Sequence, residues 1–159
     1  AMRLDKTDVS VPEIVHSVVD LYEIIAEDRQ IAIHTRLPDE LLIHADRNRI
    51  RQITADLLDN AIKYSRLGGS IEISAHEDGP FAVIVVTDQG IGIAPEEINQ
   101  IWDRLYRGDR SRSKRGLGLG LSLVRAIVEA HGGKVNVESR LDEGSTFSVM
   151  LPKTGLFLN

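Results

Sequence analysis

The sequence predicts a two-layer α/β sandwich, with a mixed sheet of about five strands and about three main helices on one face. Three observations carry this. Apolar residues recur at helical spacing in three segments, alternating or β-branched apolar runs fill several others, and the two kinds do not alternate strictly. The last point disfavours a doubly wound parallel sheet. With 159 residues, 42% of them hydrophobic, the chain is long enough for one domain over 1–159 with a sizeable core. That domain is expected to be a fragment of a longer protein.

The first helix is expected over 12–27, where Ile14, Val15, Val18, Leu21, Tyr22 and Ile25 follow three- and four-residue steps. Pro12 suits its first turn, and Ser10 can cap it. Ile31–Leu37 alternates apolar and polar residues as a half-buried strand does, and Leu42–Ala45 reads as its short partner. Asp46 then caps a second helix reaching about Ser65, with Ile50, Ile53, Leu57, Leu58, Ala61 and Ile62 on its buried side. Gly68-Gly69 ends that helix, and Ser70–His76 alternates as a strand. Asp78-Gly79-Pro80 is a turn signal, after which Phe81–Thr87 is the continuous apolar run of a central strand. Pro95 with Glu96 and Glu97 starts a short helix, the acids facing its positive end. Residues 107–116 lack apolar periodicity and read as a loop. Gly118–His131 is a third helix stopped by Gly132-Gly133, and strands over Lys134–Ser139 and Thr146–Leu151 close the chain.

Composition removes several function classes. There is no cysteine, so disulfides and thiolate metal sites are excluded. No apolar run approaches the roughly 20 residues that cross a bilayer, and no signal-peptide pattern opens the chain. A net charge of −5 argues against general nucleic-acid binding, so neither nucleic acid nor membrane contact is expected of this domain. The five histidines are scattered without metal-ligand spacing, and no GxSxG elbow occurs. A Rossmann fingerprint lacks its third glycine, because Leu121 or Leu123 stands there. A P-loop would need glycine where Val128 precedes Gly133-Lys134.

What remains is a constellation that suits a magnesium-bound nucleoside triphosphate. Asp88-Gln89-Gly90-Ile91-Gly92-Ile93 follows the central strand, and Gly116-Leu117-Gly118-Leu119-Gly120-Leu121 opens the third helix. Between them Arg104, Arg107, Arg110, Arg112, Lys114 and Arg115 crowd one segment. Glycine admits close backbone approach, a helix start offers free N–H groups to an anion, and arginine gives planar donors for phosphate. Asp56, Asn60 and Lys63 share one stripe of the second helix, where a carboxamide oxygen can ligate magnesium and an ammonium can face phosphate. Asp88 at a buried strand end needs hydrogen-bond donors, and the exocyclic amine of adenine is one. Singly, each feature also reads as an ordinary turn, a solvated helix face or a soluble loop.

The order of these motifs resembles the catalytic, ATP-binding domain of bacterial sensor histidine kinases, within the gyrase–Hsp90–histidine kinase–MutL superfamily and its Bergerat-type fold. Leu57–Ser65 resembles the N box, Asp88–Ile93 the G1 box, Ile101–Arg107 the F box, Gly116–Leu121 the G2 box and Glu143–Phe147 the last glycine box. The resemblance implies ATP and Mg2+ as cofactors, with Asn60 on magnesium and Lys63 and Arg107 on phosphate. It further implies Tyr64 and Tyr106 beside the nucleotide, and Asp88 on the adenine amine with Thr146 supporting it through water. Gly90, Gly92 and Ile93 would line the base pocket, while backbone groups of Gly116, Leu117, Gly118, Leu119, Gly120 and Leu121 would cradle phosphates under a lid over about 107–117. The implied partners are a dimerisation hairpin carrying the phosphoacceptor histidine, absent from this chain, and a response regulator. A cytoplasmic location follows, with any membrane anchor elsewhere in the parent.

Two departures stand out. Asp56 replaces the usual first asparagine of the N box, which adds a second candidate magnesium ligand and a candidate base for hydrolysis. Trp102 and Leu105 replace the usual F-box phenylalanines. A self-sufficient ATPase of the gyrase–MutL type, using Asp56 as base, and an anti-sigma-type serine kinase are the competing expectations. A regulatory nucleotide-binding module without catalysis is a third.

Overall fold

The computed structural model describes residues 2–103 and 119–154, with the backbone alone for Leu119. Along the chain run β1 (Lys6–Ser10), α1 (Val11–Asp28), β2 (Ala32–Arg36), β3 (Leu42–Asp46), α2 (Arg47–Tyr64), β4 (Ser70–Asp78) and β5 (Phe81–Asp88). After a single 3-10 turn at Pro95–Glu97 come α3 (Leu119–Ala130), β6 (Lys134–Arg140) and β7 (Gly144–Pro152). Five strands form one sheet in the order β2-β4-β5-β7-β6. The β2–β4 pair is parallel and the other pairs are antiparallel, so the sheet is mixed as expected.

Local chemistry places the helices. Ser10 Oγ accepts from the Glu13 N–H at 3.4 Å to cap α1, with Pro12 in the first turn. Asp46 Oδ1 accepts from the Arg49 N–H at 3.2 Å to cap α2. Alternate residues of the central strands (Ile73, Ile84, Val86, Phe147 and Val149) join Ile53, Leu57, Leu58, Val124 and Ile127 of the helices in one core. The intervening residues, such as Ser74, Thr87, Thr146 and Ser148, are only partly buried on the other face of the sheet.

Two expectations change. Leu42–Ala45 was expected to pair with the strand at Ile31–Leu37, yet β3 pairs antiparallel with β1 in a separate two-stranded sheet, from Lys6↔Asp46 to Ser10↔Leu42. β1 carries one buried residue, Val9, among polar neighbours, so its sequence shows no strand period. The short helix at Pro95 is a single 3-10 turn of three residues.

Leu58 is fully buried at the junction of α2 with the core. Leu58→Ala should lower the unfolding free energy by about 2–5 kcal/mol. Urea denaturation measures this, and a loss under about 1 kcal/mol would place the residue outside a close-packed core.

Candidate functional site

Asp88 is the last residue of the central strand β5, and it is buried with 6% of its surface exposed. Its Oδ1 accepts from the Gly90 N–H at 2.8 Å. Burial pushes this carboxyl upward from its ordinary pKa, against the backbone N–H groups of Gly90 and Ser145, which pull it down. Among the described residues no cation forms an ion pair with it. A carboxylate in that setting can take a further hydrogen bond from a neutral donor.

The loop after Asp88 is locked to two neighbours. Ile91 N–H donates to the Tyr64 carbonyl at 3.1 Å, and Asp142 N–H donates to the Ile91 carbonyl at 2.7 Å. Ser139 Oγ accepts from the Ile93 N–H at 2.8 Å. Arg66 adds Nη2 to the Asp142 carbonyl at 2.9 Å and Nη1 to the Gln89 carbonyl at 3.4 Å. The sequence argument expected Gly90 and Gly92 to be bare so that a base can approach. In the structure a Cβ at Gly90 would lie 2.0 Å from the Tyr64 carbonyl, and one at Gly92 would lie 2.0 Å from the Arg140 carbonyl. The protein's own backbone therefore demands these glycines, and Gly92 also has a left-handed φ of +70°.

Along α2, Asn60 precedes Tyr64 by one turn and Asp56 precedes it by two, about 6 and 12 Å along the axis. Asp56 faces the start of α3, where a Cβ on Gly120 would reach its Cβ and Cγ at 4.0 Å, an ordinary contact. Of the glycines predicted to form the site and described here, Gly120 alone is not forced by packing. Leu119, Gly120 and Leu121 are the first described residues of α3. Lys63 Nζ pairs with Asp59 Oδ2 at 3.0 Å. Burial, then Asp59, raise the Asp56 carboxyl to about 6, with Lys63 opposing them. Tyr22 of α1 stands close enough that Asp59 and Asp56 add to the burial that raises its own phenol. The site is thus an elongated strip, with a buried acceptor at the end of β5 and a polar, carboxylate-bearing wall toward α3.

One predicted contact is corrected. Thr146 was expected to support Asp88, but Thr146 is paired with Thr87, their hydroxyls 3.3 Å apart. Strand alternation puts both on the sheet face opposite Asp88. The residue across from Asp88 on its own face is Ser145, whose hydroxyl lies 2.7 Å from Ser139 Oγ. Counting inward from Asp88 and Phe147, both buried, identifies Ser145 from sequence once the β5–β7 register is known. Trp102 packs edge-on against Phe147, with ring centroids 5.8 Å apart and planes at 85°. Tyr106, Arg107, Gly116, Leu117 and Gly118, with the lid over about 107–117, lie outside the described residues. No helix among the described residues is long and apolar enough to cross a membrane.

Comparison with known proteins agrees with this geometry. Residues 45–155 match the family described as histidine kinase-, DNA gyrase B-, and HSP90-like ATPase. The chain is 38% identical over 148 residues to the sensor-like histidine kinase SenX3 of Mycobacterium tuberculosis, covering 92% of this chain and 36% of that protein. It therefore spans about a third of the length of that relative. The nucleotide-free catalytic domain of histidine kinase ThkA superposes with a TM-score of 0.85 at 30% identity, over 94% of this chain and 97% of that one. ThkA in complex with the response regulator TrrA superposes at 0.81 and 29% identity, over 95% of this chain and 42% of that one. Full-length ShkA in complex with AMPPNP superposes at 0.85 and 29% identity, over 96% of this chain and 32% of that one.

The Asp56 carboxyl has a sign that can be checked. Its folded-state pKa, about 6, lies above the ordinary 3.8, so protonated Asp56 favours the fold and ionised Asp56 opposes it. The stability it contributes is present below pH 3.8 and is lost as pH rises through about 6. Asp56→Asn should therefore raise the melting temperature at pH 7.5, and the advantage over wild type should vanish near pH 3.8. Paired thermal melts across that range test it, and an advantage independent of pH would refute the assignment.

Proposed function

Because the chain belongs to the histidine kinase-, DNA gyrase B- and HSP90-like ATPase family, we propose that residues 1–159 form the single ATP-binding catalytic domain of a two-component sensor kinase. In this reading the domain transfers a γ-phosphoryl group to a histidine on a dimerisation hairpin supplied by the rest of the parent protein. The observation that carries it is the buried Asp88 carboxylate, held by backbone N–H groups at the end of β5 and facing a strip that ends at Asp56 and Gly120.

The residues divide the work along that strip. Asp88 accepts the adenine amine, and the loop through Gly90, Gly92 and Ile93 walls the base pocket. Tyr64 flanks the nucleotide. Asn60, with Asp56 beside it, offers oxygen ligands to Mg2+, a hard cation that takes oxygen donors and retains water. When bound, Mg2+ neutralises phosphate charge and orients the transferred group. Lys63 and Arg107 supply positive charge to the phosphates. Tyr106 and the run Gly116 to Leu121 close the phosphate end, with Gly120 leaving room before Asp56. Positioning and charge neutralisation are the domain's contribution, and the base that assists the acceptor belongs to the hairpin.

The response regulator is the proposed downstream partner, supported by the likeness to ThkA, which was solved with one. A cytoplasmic location is proposed with it. A second reading, hydrolysis by this domain alone, draws on one observation. Asp56 stands beside the start of α3, and although burial and Asp59 push its carboxyl up to about 6, that leaves it able to ionise at neutral pH as a water-activating base must. Phosphate release by the isolated chain that disappears in Asp56→Asn would favour it.

Phosphoryl transfer is tested by adding radiolabelled ATP, Mg2+ and the parent's hairpin to this chain. Acid-labile label on the hairpin histidine is expected, and label on a serine would point to the serine kinases. Calorimetry of the chain alone tests the pocket. Asp88→Ala should abolish detectable Mg·ADP binding, and Asn60→Ala should remove its magnesium dependence. Unchanged affinity in either variant would remove the corresponding role.

A further inference from the structure

His131, directly after α3, is 2% exposed and makes two hydrogen bonds that fix its tautomer. Its Nδ1 lies 2.8 Å from the Ile127 carbonyl, which can only accept, so Nδ1 carries the proton. Its Nε2 lies 3.1 Å from the backbone nitrogen of Asp46, which can only donate, so Nε2 is the acceptor. A second proton would set N–H against N–H in a buried site. Burial correspondingly lowers the ring's pKa from its ordinary value, and Lys6 of β1 lowers it further. The Ile127 carbonyl and Asp46 act in the opposite direction.

Asp46 is a junction in its own right. Its carboxylate takes the Arg49 N–H at the start of α2 and the Asp5 N–H before β1, while its own N–H goes to His131. The helices α2 and α3 pack side by side in one core. At one end His131 holds Asp46 by a hydrogen bond, and at the other Gly120 stands beside Asp56 with room for a Cβ. The arms between these points are ten residues on α2 (46 to 56) and eleven on α3 (120 to 131). They correspond to about 15 and 16.5 Å of helix. A hydrogen bond at the His131 end of two antiparallel rods of matched length resists their sliding and so sets where the other end of α3 stands beside Asp56. Val124, Ile127 and Val128 are fully buried against the core, and the His131–Asp46 hydrogen bond adds a directional contact to that packing.

We propose that His131 is a positioning residue for the phosphate end of the nucleotide site: it pins the far end of α3 to the cap of α2, and so sets where the α3 start stands beside Asp56. The base end, built from β5, β7 and the C-terminus of α2, does not depend on this pin. This inference rests on the nucleotide reading above. Its signature is a selective loss of affinity for the phosphate part of the ligand.

The test compares Mg·ADP and adenosine binding by wild type, His131→Leu and His131→Gln, well below their melting temperatures. His131→Leu should weaken Mg·ADP by about tenfold or more, as a small misplacement of a polar site does, and leave adenosine nearly unchanged. His131→Gln, whose amide oxygen accepts the Asp46 N–H, should recover most of the loss. A parallel fall for both ligands, or Mg·ADP affinity equal to wild type in His131→Leu, overturns the proposal. Wild type binding neither ligand would instead overturn the nucleotide reading. Should His131→Leu fail to fold, nitrogen NMR of the wild-type imidazole decides: Nδ1 protonated and Nε2 bare supports the pin, and the reverse tautomer rejects it.

Discussion

The site depends on one backbone joint, the Tyr64 carbonyl seated on Gly90 and hydrogen-bonded to the Ile91 N–H at 3.1 Å. It brings the C-terminus of α2 onto the turn that follows β5. Everything polar on α2 is then placed at a fixed distance from Asp88, because a helix is rigid and counts in 1.5 Å steps. Comparable joints close the other sides. Gly144 has its Cα against the Asp88 carbonyl, where a Cβ would come within 2.1 Å, and Gly92 rests on Arg140. The glycines are thus mechanical seats between strands and helix, and the pocket is a consequence of the seating.

Electrostatics in the strip pull in opposite directions. Asp56 and Asp59 repel each other and raise both Asp56 and the Tyr22 phenol, while Lys63 answers Asp59 from one turn away. The net result is one carboxyl, Asp56, held above its ordinary pKa beside the start of α3. Two arginines steady the surrounding frame. Arg29 Nη2 donates to the Ser65 carbonyl at 2.9 Å, a favourable cation at a helix C-terminus, and Arg66 joins the same end to the turn at Asp142. These groups determine where the strip lies even though none of them faces it.

Much of this was legible in the sequence. The stripe Ile50, Ile53, Leu57 and Leu58 marked α2 and its buried side, Asp46 and Ser10 marked the caps, and Phe81–Thr87 stood out as central because it is a continuous apolar run. Asp88 was legible because a carboxylate at the end of such a strand needs a reason to be there. β1 was not legible, since a strand of two on a surface buries one side chain and keeps no period. Thr146 was misplaced because adjacent strand residues face opposite ways, and one position of register decides which hydroxyl stands by Asp88. His131 was passed over as a histidine with no metal-like spacing; its partners are a carbonyl one turn back and a backbone nitrogen 85 residues earlier.

The small sheet of β1 and β3 has a consequence for where this unit begins. The family model matches 45–155, whereas the likeness to SenX3 covers 92% of the chain and the strand pairing starts at Lys6. The intervening residues supply Val9, Val11, Ile14, Val15 and Val18 to the common core and pair with the strand that launches α2. Dissection at residue 45 would strip α2 of its covering helix and leave β3 without its neighbour. For this molecule, the stretch that a family model matches is shorter than the unit that packs as one body.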